Sequence, residues 1–123
     1  MNILIDTHIF LWLLFSISKI KSKHLEILSD LDNDIYVSSI SIAEIMIKKS
    51  LNKLDVDFDL EYSLKKLDAR VLDFDANSAL VLGSLPYHHK DLFDRMIISQ
   101  ALTKKYKLMS VDGKFSKYDC ELL

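Results

Sequence analysis

The sequence predicts one α/β domain, a central parallel sheet covered by helices on both faces. Four short apolar segments alternate along the chain with stretches of helical pattern. These segments are apolar at consecutive positions rather than at every second one, which is typical of strands buried on both faces. The length of 123 residues provides for one hydrophobic core, so residues 1–123 are expected to form a single domain.

The first strand and two helices are expected in the N-terminal third. Asn2–Ile5 is an apolar strand that Asp6 closes. The stretch His8–Phe15 is apolar on every side, which predicts a helix that is buried all round or covered by a partner. Ser22 is expected to cap a second helix that extends to about Leu31.

Two further strands and two helices are expected in the middle of the chain. Asp34–Ser38 is the second strand. Ser41 is expected to begin a third helix, since its spacing to Glu44 is that of a capping box. A fourth helix over Leu60–Leu67 then leads into the third strand, Arg70–Phe74.

The last third is expected to contain two helices and one or two strands. Asp75–Leu82 is predicted to be a helix capped by its aspartate, and Pro86 lies beyond its end. Asp91–Lys104 is predicted to be a longer capped helix with basic residues in its last turn. Lys107–Val111 is the fourth strand, and Cys120–Leu123 is a candidate for a short fifth.

Composition excludes several classes of protein. With only two glycines, the chain can form neither a P-loop nor a glycine-rich dinucleotide turn. The single cysteine, Cys120, provides neither an internal disulfide nor a thiolate zinc site, so a reducing, cytoplasmic compartment is expected. The longest apolar run, Ile9–Phe15, is far shorter than the roughly 20 residues of a membrane span. The net charge of −2 gives no overall attraction for nucleic acid, so any such binding must be local.

Four acidic residues are expected to converge at one edge of the sheet. Asp6 follows the first strand and Asp112 the fourth, so the two carboxylates face one another if these strands are neighbours. Glu44 and Asp94 are expected in the first turns of two helices that point toward the same edge. Each acid taken alone has an ordinary structural explanation as a cap, a first-turn charge or a turn residue.

A shared metal ion explains the four acids together. Two carboxylates about 4 Å apart repel by about 4 kcal/mol at an effective dielectric of 20, so four cannot all stay ionised without a neutralising group. A site built of carboxylate oxygens favours Mg²⁺ or Mn²⁺ over zinc. Such ions activate water and hold phosphate oxygens, which predicts phosphodiester hydrolysis.

Four stretches of the chain contain these acids, in order: NILIDTHIFLWLL with Asp6, VSSISIAEIMIKKSLNKL with Glu44, LPYHHKDLFDRMIISQAL with Asp94, and LMSVDGKF with Asp112. By these stretches the chain resembles, over nearly its full length, the PIN-domain ribonucleases and, within them, the VapC toxins of type II toxin–antitoxin pairs. Leu92 and Asn52 depart from the residues common in that family, where proline and glycine are frequent, but neither is an acidic position.

The resemblance implies a fold, an activity and partners. The fold is a three-layer α/β/α sandwich with a central parallel sheet, and the activity is Mg²⁺- or Mn²⁺-dependent endoribonuclease cleavage of RNA. The implied partners are a VapB-type antitoxin that inhibits the toxin and a second copy of the chain in a homodimer. Asp6, Glu44, Asp94 and Asp112 are then the catalytic and metal-binding residues.

Two other functions stay open at this point. A phospho-receiver module has a similar size and an acidic pocket, but it needs paired acids after the first strand, where only Asp6 stands. A PIN-like scaffold without catalytic activity is the other alternative, which retention of all four acids disfavours.

The roles of several neighbouring residues are also open. Asp91 is expected to be a helix cap, and Arg95 either contacts a phosphate or forms a structural ion pair. His88 and His89 either approach RNA or are bystanders in a surface loop. Thr7 and Ser110 either orient the acids through hydrogen bonds or bond only to the local backbone. The apolar run that includes Trp12 is part of the core, an antitoxin groove or a dimer face.

Overall fold

The computed structural model describes all of the chain, Met1–Leu123. It has four strands and six α-helices, and two short 3₁₀ helices at Ile17–Lys19 and Gly113–Lys117. The strands and α-helices are, in chain order, β1 (Asn2–Ile5), α1 (Thr7–Phe15), α2 (Ser22–Ser29), β2 (Asp34–Ser38), α3 (Ser39–Ser50), α4 (Leu60–Leu67), β3 (Ala69–Leu72), α5 (Ala76–Val81), α6 (Leu92–Lys104) and β4 (Lys107–Met109).

The four strands form one parallel sheet in the order β3-β2-β1-β4. In the register, Leu4 of β1 pairs with Tyr36 of β2 on one side and with Leu108 of β4 on the other. The chain moves outward from β1 through β2 to β3 and then returns to the opposite side of β1 for β4. The carboxyl ends of β1 and β4 therefore flank a switch point, the place where open parallel sheets gather functional groups.

Successive residues of the strands enter two separate cores. Ile3 and Ile5 of β1 are fully buried in a cluster with Ile9 and Phe10 of α1. Leu4, between them, is buried in a second cluster on the opposite face, which includes Ile98 of α6. Full burial of each such aliphatic side chain stabilises the fold by about 1.5–3 kcal/mol. The two clusters confirm the predicted α/β fold with helices on both faces of a parallel sheet.

Aspartates cap the starts of three helices, as predicted for Asp75 and Asp91. Carboxylate oxygens of Asp59, Asp75 and Asp91 each accept a hydrogen bond from the backbone N–H three residues on. α4 begins and ends at the predicted residues, and α5 and α6 begin directly after their predicted caps. α6, with 13 residues, is the longest helix, and no helix combines the length and the apolar composition required to span a membrane.

Two predicted helix starts and one helix end were wrong. α3 begins at Ser39, because Ser38 at the end of β2 accepts the hydrogen bond from the Ile40 N–H. Glu44 is therefore in the second turn of α3, and no capping box with Ser41 forms. α2 is capped at Lys21 without a side-chain hydrogen bond rather than at Ser22, and it ends at Ser29, which leaves Leu31 94% exposed.

The ends of two strands and the C-terminal segment also differ from the prediction. β3 and β4 are shorter than expected, since they end at Leu72 and Met109. Cys120–Leu123 does not form a fifth strand, but a single bridge connects Leu122 with Leu108 of β4.

Candidate metal centre

Asp6 joins β1 to α1 at the switch point. Its backbone N–H donates to the Met109 carbonyl of β4 at 3.0 Å, which confirms that β1 and β4 are neighbours. Its carboxylate caps α1 by accepting from the Ile9 N–H at 2.8 Å, and it also accepts from the Ser110 hydroxyl at 2.6 Å. The residue is 2% exposed, and this burial raises the pKa of Asp6 although both hydrogen bonds oppose the rise.

Ser110 connects Asp6 to Asp112. While its hydroxyl donates to Asp6, the same oxygen accepts from the Asp112 N–H at 3.0 Å. Ser110 thus orients an acid, one of the two roles that the sequence left open for it. Thr7 does not, because its hydroxyl donates to that of Ser41 at 2.8 Å.

Asp112 caps the 3₁₀ helix after β4. Its Oδ1 accepts from the Lys114 N–H at 2.9 Å, and its Oδ2 lies 2.8 Å from His89 Nε2. Burial acts to raise the pKa of Asp112, but the hydrogen bonds from Lys114 and His89 outweigh burial and hold that pKa below its ordinary value. The ionised form is therefore better stabilised at Asp112 than at an acid whose pKa burial raises, such as Asp6.

Asp94 lies in the first turn of α6, as predicted, and its side chain is 16% exposed. Burial and, after it, the charge of Asp91 raise the pKa of Asp94 to about 7. The carboxylates of Asp6 and Glu44 raise it further, while His89 acts in the opposite direction. Asp6, Glu44 and Asp94 are therefore close enough to affect one another, and Asp112 adjoins this group through His89, which lies 2.8 Å from Asp112 and 3.0 Å from Asp94.

Glu44 of α3 is 4% exposed. Its Oε2 accepts from the Lys48 ammonium at 2.6 Å, and the other oxygen, Oε1, is buried without a hydrogen-bond partner. The hydrogen bond to Glu44 raises the pKa of Lys48, and the carboxylates of Asp91 and Asp94 add to this rise. A buried carboxylate oxygen without a partner costs free energy unless a cation or a donor approaches it.

His89 is the main site residue that sequence reasoning did not identify. Its side chain is 10% exposed, and its Nε2 lies 2.8 Å from Asp112 and 3.0 Å from Asp94. The Asp91 N–H donates to Nδ1 at 3.2 Å, so the ring proton is on Nε2, where the two carboxylates share it. Of the alternatives for this histidine, the bystander role in a surface loop is therefore wrong.

A network around the segment before α6 holds His89 in place. The Tyr118 hydroxyl accepts from the backbone N–H groups of His88 and His89 at 3.1 and 2.9 Å. Arg95 is 3% exposed, and its guanidinium donates to the carbonyls of Leu85 and Pro86. Arg95 forms no ion pair, one of the two roles expected for it, and two of its guanidinium nitrogens donate to the backbone of this segment instead.

The residues at this edge fit a divalent cation. Potential ligand atoms of His89, Asp94 and Asp112 lie within 4.8 Å of one another, and because the His89 ring donates its Nε2 proton, the carboxylate oxygens are the atoms left to bind a cation. Carboxylate oxygens are hard donors, which suit Mg²⁺ and Mn²⁺. The unpartnered oxygen of Glu44 and the raised pKa values of Asp6 and Asp94 indicate an excess of buried negative charge that such an ion neutralises.

Comparisons with known proteins agree with the fold. The family model described as "PIN domain" matches residues 3–120. The structure of VapBC2 from Rickettsia felis bound to a DNA fragment from their promoter contains a chain with 23% identity and a TM-score of 0.72, and the match covers 100% of this chain and 98% of that chain. VapBC-1 from nontypeable Haemophilus influenzae gives 19% identity and a TM-score of 0.69, with 100% and 97% covered.

A third structure, FitAcB from Neisseria gonorrhoeae, gives 20% identity and a TM-score of 0.66, with 98% of this chain and 96% of that chain covered. At these identities the structures establish a common fold. The comparison with curated proteins finds no significant match.

Proposed function

This chain belongs to the PIN domain family, and we propose that it is a metal-dependent endoribonuclease toxin of the VapC type, which an antitoxin neutralises. The observation that carries the proposal is the group of acids near the carboxyl ends of β1 and β4, of which Asp6 and Glu44 are buried and Asp94 and Asp112 are partly buried. A group of like charges in partial burial is costly for stability, and such arrangements are frequent at catalytic sites.

We propose that Asp6, Glu44, Asp94 and Asp112 bind one or more Mg²⁺ or Mn²⁺ ions, directly or through water. When bound, such an ion lowers the pKa of a coordinated water and stabilises the charge of a phosphate group in hydrolysis. RNA rather than DNA as the substrate rests on the family resemblance.

The protein's own side chains prepare this site in two ways. Ser110 fixes the Asp6 carboxylate through a hydrogen bond of 2.6 Å and the backbone of Asp112 through one of 3.0 Å. His89 holds Asp94 and Asp112 together from the side of α6. Because these carboxylates are already held in position, less conformational entropy is lost when they bind a ligand.

The partners are also part of the proposal. Two of the similar structures are VapBC assemblies, which supports a VapB-type antitoxin as the partner of this chain. A homodimer acting on RNA is what the family resemblance implies, and the single cysteine favours a cytoplasmic location. Light scattering of the purified chain at several concentrations tests the dimer, and a monomer at all of them would contradict it.

Cleavage by acid-to-amide variants tests the nuclease. Mixed-sequence RNA is incubated with the wild-type chain, with Asp6→Asn and with Asp94→Asn, in Mn²⁺, in Mg²⁺ and in EDTA. We expect the wild-type chain to cut RNA only with a divalent ion, and each variant to lose at least about 100-fold in rate, the usual scale for a group that acts in the transition state.

Asp75→Asn is the matched control, because Asp75 caps α5 and pairs with Lys104 outside the acid group. It is expected to cut RNA at the wild-type rate. Cleavage that persists in Asp6→Asn and Asp94→Asn would contradict the catalytic role of the acids. Metal binding without any cleavage by the wild-type chain would favour the inactive PIN-like scaffold instead.

A further inference from the structure

A groove of about 310 Å³ opens beside the acid group, between α1 and α3 with the turn that follows α3. The lining of the groove includes Glu44 and Thr7, the neighbour of Asp6 in the chain. A polymer that presents one group to the acids can therefore continue into the groove without leaving the surface. The charge of the groove and its aromatic side chains indicate which kind of ligand it binds.

The charged residues of the groove are mostly basic. Lys19, Lys48 and Lys53 line it, and Glu44 is the one acidic residue in the lining. Since Lys48 is paired with Glu44 at 2.6 Å, the positive charges of Lys19 and Lys53 are in excess. The chain as a whole has a net charge of −2, so this is a local concentration of positive charge that favours an anionic polymer.

The aromatic residues of the groove lie on one face of α1. His8, Trp12 and Phe15 are spaced by four and three residues, and the rings of His8 and Trp12 are 6.0 Å apart. Phe15 is 45% exposed, and Lys19 Nζ lies 5.8 Å from the centre of the Trp12 ring. Exposed rings interleaved with lysines are the means by which proteins bind single-stranded nucleic acid.

We propose that this groove binds the part of a single-stranded RNA that adjoins the cleaved phosphate, with bases against Trp12 and Phe15 and phosphates at Lys19 and Lys53. The proposal rests on the nuclease function above and adds the place of the substrate strand. Because every base has a face that stacks on an aromatic ring, this site contributes affinity with little sequence preference.

The fluorescence of Trp12, the chain's only tryptophan, gives a direct test. The probe is a short single-stranded RNA of mixed sequence, titrated into the wild-type chain in EDTA and into Asp94→Asn in Mn²⁺, so that cleavage does not interfere. We expect saturable quenching that weakens as salt is raised. No quenching in either condition would overturn the proposal.

Variants then separate stacking from charge, with fluorescence anisotropy of a dye-labelled RNA as the measurement. Trp12→Leu should weaken binding by about tenfold or more, the scale of removing one stacked base. The double variant Lys19→Gln with Lys53→Gln should reduce the slope of log affinity against log salt by about 0.7 for each phosphate that a lysine no longer neutralises. Circular dichroism checks that each variant is folded.

Lys23→Gln is the matched control, because Lys23 is an exposed lysine of α2 outside the groove. It removes one positive charge and should leave both affinity and salt slope unchanged. An equal loss in Lys23→Gln and in the groove variants would overturn the proposal, since binding would then follow overall charge.

Binding and cleavage give separate outcomes. RNA cleavage with unchanged affinity in the folded groove variants would overturn the groove proposal and leave the nuclease function standing. Binding that depends on Trp12 without any cleavage would support the groove and contradict the nuclease function. Quenching by an acidic peptide but not by RNA would overturn the proposal and assign the groove to a protein partner.

Discussion

Neutralising Asp94 should stabilise the folded chain at pH 8, against the usual effect of removing a polar group. The pKa of Asp94 rises from an ordinary 3.8 to about 7 on folding. Each pKa unit corresponds to about 1.36 kcal/mol, so the ionised Asp94 costs the folded state about 4 kcal/mol. With only 16% of the side chain exposed, solvent screening reduces this figure little.

The sign of the pH dependence follows from the direction of the shift. Because the pKa is higher in the folded state, that state binds the proton more tightly than the unfolded chain does. The free energy of unfolding therefore falls as the pH rises from about 4 to about 7, and the full cost applies above pH 7. Below pH 4 the carboxyl group is protonated in both states, and the cost is absent.

Asp94→Asn removes this cost but weakens the hydrogen bond that His89 makes with Asp94 at 3.0 Å. Taking about 1–3 kcal/mol for the weakened hydrogen bond, we expect a net gain of about 1–3 kcal/mol at pH 8 in EDTA, or about 4 °C in Tm per kcal/mol. At pH 4 the gain should be absent. Urea denaturation of both chains across this pH range measures the difference.

Asp75→Asn is the control for these experiments. Backbone and side-chain hydrogen bonds with Ser78 and Lys104 lower the pKa of Asp75, so the same substitution there should destabilise the chain, most strongly above pH 4. A loss of stability in Asp94→Asn that is equal at pH 4 and pH 8 would refute the reasoning, since Asp94 would then act only as a first-turn charge or a hydrogen-bond acceptor.

Three further predictions concern the residues that support the acids. Ser110→Ala removes the 2.6 Å hydrogen bond to Asp6, so the pKa of Asp6 should rise further and urea denaturation should show a loss of about 1–3 kcal/mol. Tyr118→Phe removes the acceptor of the His89 N–H, so calorimetry should show weaker Mn²⁺ binding while circular dichroism shows an unchanged fold. Arg95→Lys keeps the charge, but lysine cannot donate to both carbonyls in the same geometry. Urea denaturation should show a free energy of unfolding lower by about 2–4 kcal/mol. An unchanged stability would contradict the structural role of these hydrogen bonds.

The strands and most helix caps could be predicted because their signals are local. A run of apolar residues such as Asn2–Ile5 marks a strand that is buried on both faces, whatever it pairs with. An aspartate before a helical pattern, as at Asp75 and Asp91, has few other uses. Near α3 the local signal is degenerate, since Ser38, Ser39 and Ser41 are all acceptable caps. The end of β2 decides among them, and where a strand ends depends on its pairing rather than on its sequence.

The acids of the candidate site were predictable for a similar reason, and their partners were not. Asp6 directly follows β1 and Asp112 comes three residues after β4, so the parallel topology brings them to one edge. The position of His89 depends on the path of the segment before α6, which the hydroxyl of Tyr118, 29 residues away, holds in place. A single local signal existed, because His89 stands two residues before the cap Asp91, whose N–H fixes its ring. That those acids bind metal and catalyse stays a prediction.

The all-round apolarity of α1 follows from the two surfaces that this helix serves. Ile9, Phe10 and Leu13 are buried in the core beneath the sheet, which accounts for one side of the helix. Phe15 lies on the other side, and Trp12 is partly packed against the core, but both line the groove beside the acids. A helix that only covered the sheet would gain solubility from polar residues on that outer side. Large apolar rings retained there, next to Lys19, are better explained by a ligand that covers them, which makes Trp12 the residue at which the chemistry of that ligand can be measured.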